Sequence, residues 1–155
     1  MPDHPFVDDP GTTFTHVEPA DLALSAAVMA HLGFQVTVTA LVYPALVRLG
    51  LSHPEEWTVA HDRHSRTIVP VVGAVYVGLL GAGLWALSSG LGPASLIALV
   101  GAWGSVAVTG TLAAPLHGRL GAPEPHLLSR LLVIDRVRCL LALGAGIAAL
   151  ALLLG

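Results

Sequence analysis

Charge is scarce in this 155-residue chain: 11% of its residues are charged against 54% hydrophobic, and the mean hydropathy is +0.76. A water-soluble domain carries roughly a quarter charged residues, so water is the wrong solvent for most of this surface. Lysine is absent, and all seven basic residues are arginine. Cys139 is the single cysteine, which excludes an internal disulfide and a cysteine-based zinc site. The first twenty residues carry Asp3, Asp8, Asp9 and Glu18 but no basic residue, the reverse of the basic start of a signal peptide. With Pro2, Pro5, Pro10, Gly11 and Pro19 they read as a mobile acidic tail over residues 1–20. Net charge is −3, and no basic face exists beyond one membrane surface, so nucleic acid is not an expected partner.

Long apolar runs are what the chain has instead. They cover Leu22–Leu46, Ile68–Leu87, Ala94–Leu116 and Leu131–Leu154, each near the length of about 20 residues that a hydrocarbon core requires. Ser52-His53-Pro54-Glu55-Glu56 reads as a helix start, with a capping residue, a first-turn proline and acids beside the positive end of the dipole. The second helix is therefore extended back to about Pro54. The expectation is an all-α, integral membrane four-helix bundle in the cell membrane, a single domain over residues 21–155 with spans near 22–46, 54–87, 94–117 and 127–154. Every arginine then falls on one side: Arg48, Arg63, Arg66, Arg119, Arg130, Arg136 and Arg138. The other side holds the acidic tail, the neutral turn Ser88–Pro93 and the C-terminus. Arginine-rich short loops stay in the cytoplasm, which predicts extracytoplasmic termini.

Within the first span His31, Gln35 and Thr39 recur at i, i+4 and i+8 and share a face, either as polar glue between helices or as part of a site. Val42-Tyr43-Pro44 marks the exit of that span, with Tyr43 as an interfacial aromatic. Pro70 frees a carbonyl near residue 66 and is a candidate kink. Small residues at Ala74, Gly78 and Ala82, at Gly101, Ser105, Thr109 and Ala113, and at Ala142 and Gly146 predict close helix approach and little room for a large central cavity. Pro115 predicts the end of the third helix, with Gly118 or Gly121 in a left-handed cap and His117 at the boundary. Asp135 and Arg138, at i and i+3 in the first turns of the fourth helix, suit a local ion pair.

The stretch Trp57–Pro70 concentrates His61, Arg63, His64 and Arg66 at the start of an apolar run. His61 and His64 share a helix face, and His117 and Asp135 lie at the same predicted depth on neighbouring helices. A cluster of His61, His64, His117 and Asp135 suits a transition metal (Fe, Cu or Zn), and helical bundles build such sites from inward-facing side chains. Arg66 and Arg138 then serve an anionic or enolate oxygen. A haem on His64 and His117 is the other cofactor reading, metal-free acid–base work by interfacial histidines a further one, and a structural polar cap facing headgroups the plain alternative. His31, about 18 Å along the axis from Tyr43, falls outside the cluster.

Gln35, Tyr43-Pro44, His61-x-x-His64 with Arg66, Pro115-x-His117-x-x-Leu120-x-Gly121 and Asp135-x-x-Arg138 resemble a pattern in small four-span bacterial membrane proteins, some of them anthrone-oxygenase-like. The resemblance covers about residues 30–140. It implies oxidation of a hydrophobic, polyketide-like small molecule without a tightly held organic cofactor. His61, His64 or His117 would take a proton from an acidic C–H, and the carbanion would meet oxygen. The chain departs from the pattern in having no buried acid around Tyr76–Leu80 and in having Asp135 where an asparagine is common. The leading expectation is a membrane oxidoreductase or oxygenase with His61, His64, His117, Asp135, Arg66 and Arg138 as site residues. A non-catalytic subunit docking its Gly/Ala faces into a homo-oligomer or larger membrane complex is the reading of a different class, and metal-ion transport is the third.

Overall fold

The computed structural model describes residues 17–154; residues 1–16, most of the predicted acidic tail, lie outside them. The described residues form helices α1 (Pro19–Ser52), α2 (Pro54–Ser89), α3 (Pro93–His117) and α4 (Pro125–Leu154), each long and apolar enough to cross a membrane. Among the described residues there is no strand. Each helix opens on a proline, where the missing N–H is one the first turn leaves unpaired anyway. Gly90 takes φ 93°, a left-handed conformation that the tight return from α2 to α3 assigns to glycine. The helices alternate in direction. At one end Ser95 donates to the Asp21 carboxylate at 2.7 Å, and at the other the Trp57 indole donates to the Leu120 carbonyl at 2.9 Å. The arginines all lie in the half of the bundle that holds Trp57.

The two helical hairpins repeat one motif. Val36-Thr-x-Thr39, Pro44 and Arg48-Leu-Gly50 in α1 answer to Val108-Thr-x-Thr111, Pro115 and Arg119-Leu-Gly121 at the end of α3, and Gly81-Ala-Gly83 in α2 answers to Gly144-Ala-Gly146 in α4. Each proline follows a π turn, Val38–Val42 in α1 and Thr109–Ala113 in α3. A proline ring clashes with the carbonyl four residues back and offers it no N–H. Here the helix widens instead: the Tyr43 N–H reaches the Val38 carbonyl and the Ala114 N–H the Thr109 carbonyl, each five residues back. The helices therefore run on through their prolines, α1 to Ser52 and α3 to His117. This corrects two expectations. Tyr43, expected where the first span ends, is a buried residue within a helix that continues to Ser52. Gly118 has φ −63°, so no left-handed cap follows Pro115 there.

Helix α4 packs closely against both α1 and α3. A Cβ on Gly101 would stand 3.0 Å from the Leu141 carbonyl oxygen, and one on Gly146 would stand 2.5 Å from the Leu32 side chain. Its counterpart in the repeat, α2, lies along α1 but meets α3 mainly near Gly83, where a Cβ would come within 2.6 Å of Leu99. A Cβ on Gly73, Gly78 or Gly81 would find nothing within 4 Å. The Ala74 and Gly78 part of the small-residue stripe thus faces outward rather than into a helix contact, a further correction. Towards its Trp57 end α2 stands off from α3, and a cavity of about 440 Å³ occupies the divergence. The far half of the bundle is filled by Leu24, Val28, Leu79, Ala98, Leu99 and Ala102.

Candidate functional site

Three aromatic rings stack from the Trp57 end inward. Trp57, fully buried, lies against His61 at 5.1 Å and 17°, and His61 lies against His117 at 5.6 Å and 18°. His61 Nε2 and His117 Nδ1 are 3.3 Å apart, and the Tyr43 hydroxyl is 2.8 Å from His117 Nε2. Both nitrogens of His117 are thus engaged. In a neutral imidazole one nitrogen donates and the other accepts, so the ring can pass a proton between its two partners. His64 stands beside this row, edge-on to Tyr43 at 6.4 Å and 6.5 Å from His117.

The π turns explain why Tyr43 and His117 reach this point. The step from His31 to Tyr43 equals that from Ser105 to His117, and on a regular α-helix it would rotate the side chain by about a third of a turn. The extra residue of each π turn returns most of that rotation. His31, Gln35 and Tyr43 are consequently all buried, as are Ser105 and Ala113 ahead of His117. Single π turns within α-helices are frequent at functional sites.

A second polar layer lies deeper. Asp135 and Arg138 are 1% and 3% exposed, and Arg138 sits 13 residues into α4, about 20 Å from its start. Gln35 Nε2 donates to Asp135 Oδ1 at 2.8 Å and to Thr39 at 3.1 Å. Arg138 Nη1 reaches the same carboxylate oxygen at 3.4 Å, and Nη2 donates to the Tyr76 hydroxyl oxygen at 3.2 Å. Thr109 gives its hydroxyl proton to the Ser105 carbonyl, so the 2.6 Å contact between Tyr76 and Thr109 has Tyr76 as donor. The Tyr76 oxygen is thereby left to accept from Arg138. His31 packs edge-on to Tyr76 at 5.8 Å and lies 3.5 Å from Ser105. Gln35 therefore belongs to the Asp135–Arg138 network, and His31 packs against its Tyr76.

Of the residues the sequence singles out, the structure brings His61, His64 and His117 together and places Arg138 beside them on the cavity wall. Asp135 lies in the deeper layer with its carboxylate committed to Gln35 and Arg138. Arg66 is exposed and, among the described residues, has no hydrogen bond or ion pair to the cluster. The donor atoms of His61, His64, His117 and Asp135 do not converge on one point, and His117 has no free nitrogen for a metal or haem iron in this arrangement. Among the described residues, the group whose donor atoms lie within 4.8 Å of one another is the exposed set His53, Glu55 and Glu56. Tyr43, Trp57 and Tyr76 were not read as site residues from sequence. For Tyr43 the signal is the four-residue repeat His31, Gln35, Thr39, Tyr43 followed at once by Pro44; no sequence pattern marks Trp57 or Tyr76.

The cavity lies between Ile68, Val69 and Val72 of α2 and Thr109 and Ala113 of α3, with Phe34 and Val38 of α1 behind them. Tyr43, His64, His117 and Arg138 supply its polar wall. Val69, Gly73 and Ala114, which line it, are also exposed on the outer surface, so it opens sideways between two apolar helices. His64 borders this cavity and also an outer groove formed by Glu55, Glu56, Val59 and Arg63. Comparison with protein-family models, with characterised proteins and with solved structures finds no match to this chain.

Proposed function

We propose that this is an integral membrane enzyme of the oxidoreductase or oxygenase class, acting without a metal on an enolisable lipophile that enters from the bilayer between α2 and α3. The observation that carries the reading is His117. Its ring borders an apolar cavity and is hydrogen-bonded at both nitrogens, to Tyr43 at 2.8 Å on one side and to His61 at 3.3 Å on the other. Such a ring accepts a proton from a substrate C–H through Tyr43 and releases one through His61 towards the Trp57 end. General acid–base catalysis of this kind contributes on the order of 10²–10⁴-fold. Dioxygen is the oxidant: it adds to the carbanion, and the hydroperoxide formed on protonation loses water, so that CH₂ and O₂ become C=O and H₂O. A transition metal would have to displace the Tyr43 or His61 bond to reach His117, and no step is assigned to one.

Transport is the weaker reading because, among the described residues, the buried polar groups between His31 and the Asp21 end are the hydroxyls of Ser25 and Ser95, set among Leu24, Val28, Leu79, Ala98, Leu99 and Ala102, with no buried ionisable side chain between them. The arginine-rich end is assigned to the cytoplasm by its charge, which puts both termini outside. In a Cys139→Ser background a cysteine at Ser89 would then react with an impermeant maleimide on intact cells, and labelling only after lysis would reverse the orientation. The activity is tested with anthrone, a small enolisable aromatic ketone. Protein in nanodiscs is expected to convert it to anthraquinone with uptake of oxygen, faster than empty nanodiscs. Equal rates would remove the oxygenase reading.

A further inference from the structure

Arg138 points to a feature of the ligand that the proposed chemistry leaves open. It is 97% removed from solvent in an apolar interior, with relative exposure of 3%, and it lines the cavity. Its contacts are well defined: Nη2 donates to Tyr76 at 3.2 Å and Nη1 to Asp135 at 3.4 Å. Tyr76 and Asp135 are themselves held, by Thr109 and by Gln35. The guanidinium is thus fixed on one edge while its Nε–H, also buried, has no hydrogen-bond partner among the described residues. Leaving a buried donor unpaired is costly, more so on a charged group. The bundle does not need a charge here. Aligning Gly81-Ala-Gly83 with Gly144-Ala-Gly146 sets Val72 and Val75 of α2 opposite Asp135 and Arg138 of α4. The same hairpin is therefore built once with two valines and once with an ion pair, of which Arg138 lines the cavity.

We propose that the cavity selects lipophiles bearing an anionic oxygen, with the Arg138 Nε–H as the donor that receives it and the apolar wall of α2 taking the hydrocarbon portion. This rests on the cavity being a ligand site, and it narrows the ligand to a lipophilic oxyanion. That head group is either a carboxylate on an alkyl chain or the phenolate or enolate of an aromatic ketone. Asp135 is the counter-ion of Arg138 through Nη1 at 3.4 Å, so the preference rests on the unfilled Nε–H donor of the guanidinium and not on an uncompensated charge.

Photo-crosslinking in nanodiscs tests the proposal with three probes of matched chain: a diazirine-bearing hexadecanoate, a diazirine-bearing nitrophenolate and the diazirine-bearing hexadecanol. Labelling is mapped by mass spectrometry. One or both oxyanions should label the segment from Ile68 to Gly73 more efficiently than the alcohol, by roughly ten- to a hundred-fold for one charge-assisted hydrogen bond. Which of them does so identifies the source of the head group. Excess unlabelled oxyanion should remove the label, and Arg138→Gln should abolish the preference while Arg138→Lys keeps part of it. Equal labelling by the alcohol on the wild-type protein overturns the proposal and leaves the cavity reading intact. An unchanged preference in Arg138→Gln also overturns it. Absence of labelling between Ile68 and Gly73 by all three probes overturns the cavity reading itself.

Discussion

Tyr43 and His117 meet across a 2.8 Å hydrogen bond, each on a helix that has just passed a π turn. The two helices run in the same direction and carry the same Val-Thr-x-Thr and Pro-x-x-x-Arg-Leu-Gly elements. A repeated local distortion thus builds one contact between the halves. Tyr43→Phe removes the hydroxyl and leaves a half-buried imidazole nitrogen without its partner, at a cost of about 1 kcal/mol. Thermal unfolding in detergent should show that loss, and His117→Gln combined with Tyr43→Phe should cost less than the sum of the two single changes.

Asp135 and Arg138 form a buried pair, with side chains 2% and 3% exposed. Removing one partner of such a pair leaves an uncompensated charge and costs about 3–5 kcal/mol, whereas replacing both is far milder. Asp135→Asn and Arg138→Gln are each expected to lower the unfolding midpoint clearly, and the double variant to recover most of the loss. Additive losses would mean that the two charges are compensated independently.

Helix contacts are made by a different set of glycines from the one the spacing suggests. Gly101→Val drives a side chain against the Leu141 backbone and should cost about 1–3 kcal/mol by overpacking. Gly78→Val, where a Cβ meets nothing within 4 Å, should leave the unfolding midpoint unchanged in detergent.

The metal question has a direct readout. His117 spends both nitrogens on Tyr43 and His61, so purified protein is expected to contain Fe, Cu and Zn far below one equivalent, and chelation should not alter anthrone turnover. Stoichiometric metal that disappears on His64→Ala or His117→Ala would restore the metal reading.

Much of the fold is legible in the sequence because hydrophobic length alone sets it. The four runs, the early start of α2 at Pro54 and the local Asp135–Arg138 pair follow from composition and helix spacing. The site is legible only in part. His61, His64 and His117 share a depth that counting residues can find. Tyr43 depends on a π turn, which shifts every later residue around the helix axis, so a 3.6-residue period assigns it to the wrong face, while the link from Gln35 to Asp135 is a contact between helices that spacing within one helix does not reveal. Pro44 lies inside a helix that continues to Ser52 because a widened turn precedes it, while α3 ends at His117 as the spacing predicts. The Gly78 stripe misled for another reason: small residues permit close approach but do not require it, and α2 leaves α3 where the cavity opens.

The central claim is that His117 moves a proton between the cavity and His61. Its most direct test is the rate of anthrone oxidation by His117→Gln in nanodiscs, with binding measured in parallel. Glutamine keeps a hydrogen-bonding side chain but cannot relay a proton. Turnover is expected to fall by about 10²-fold or more with anthrone binding nearly unchanged. Turnover equal to that of the wild-type protein would contradict the claim.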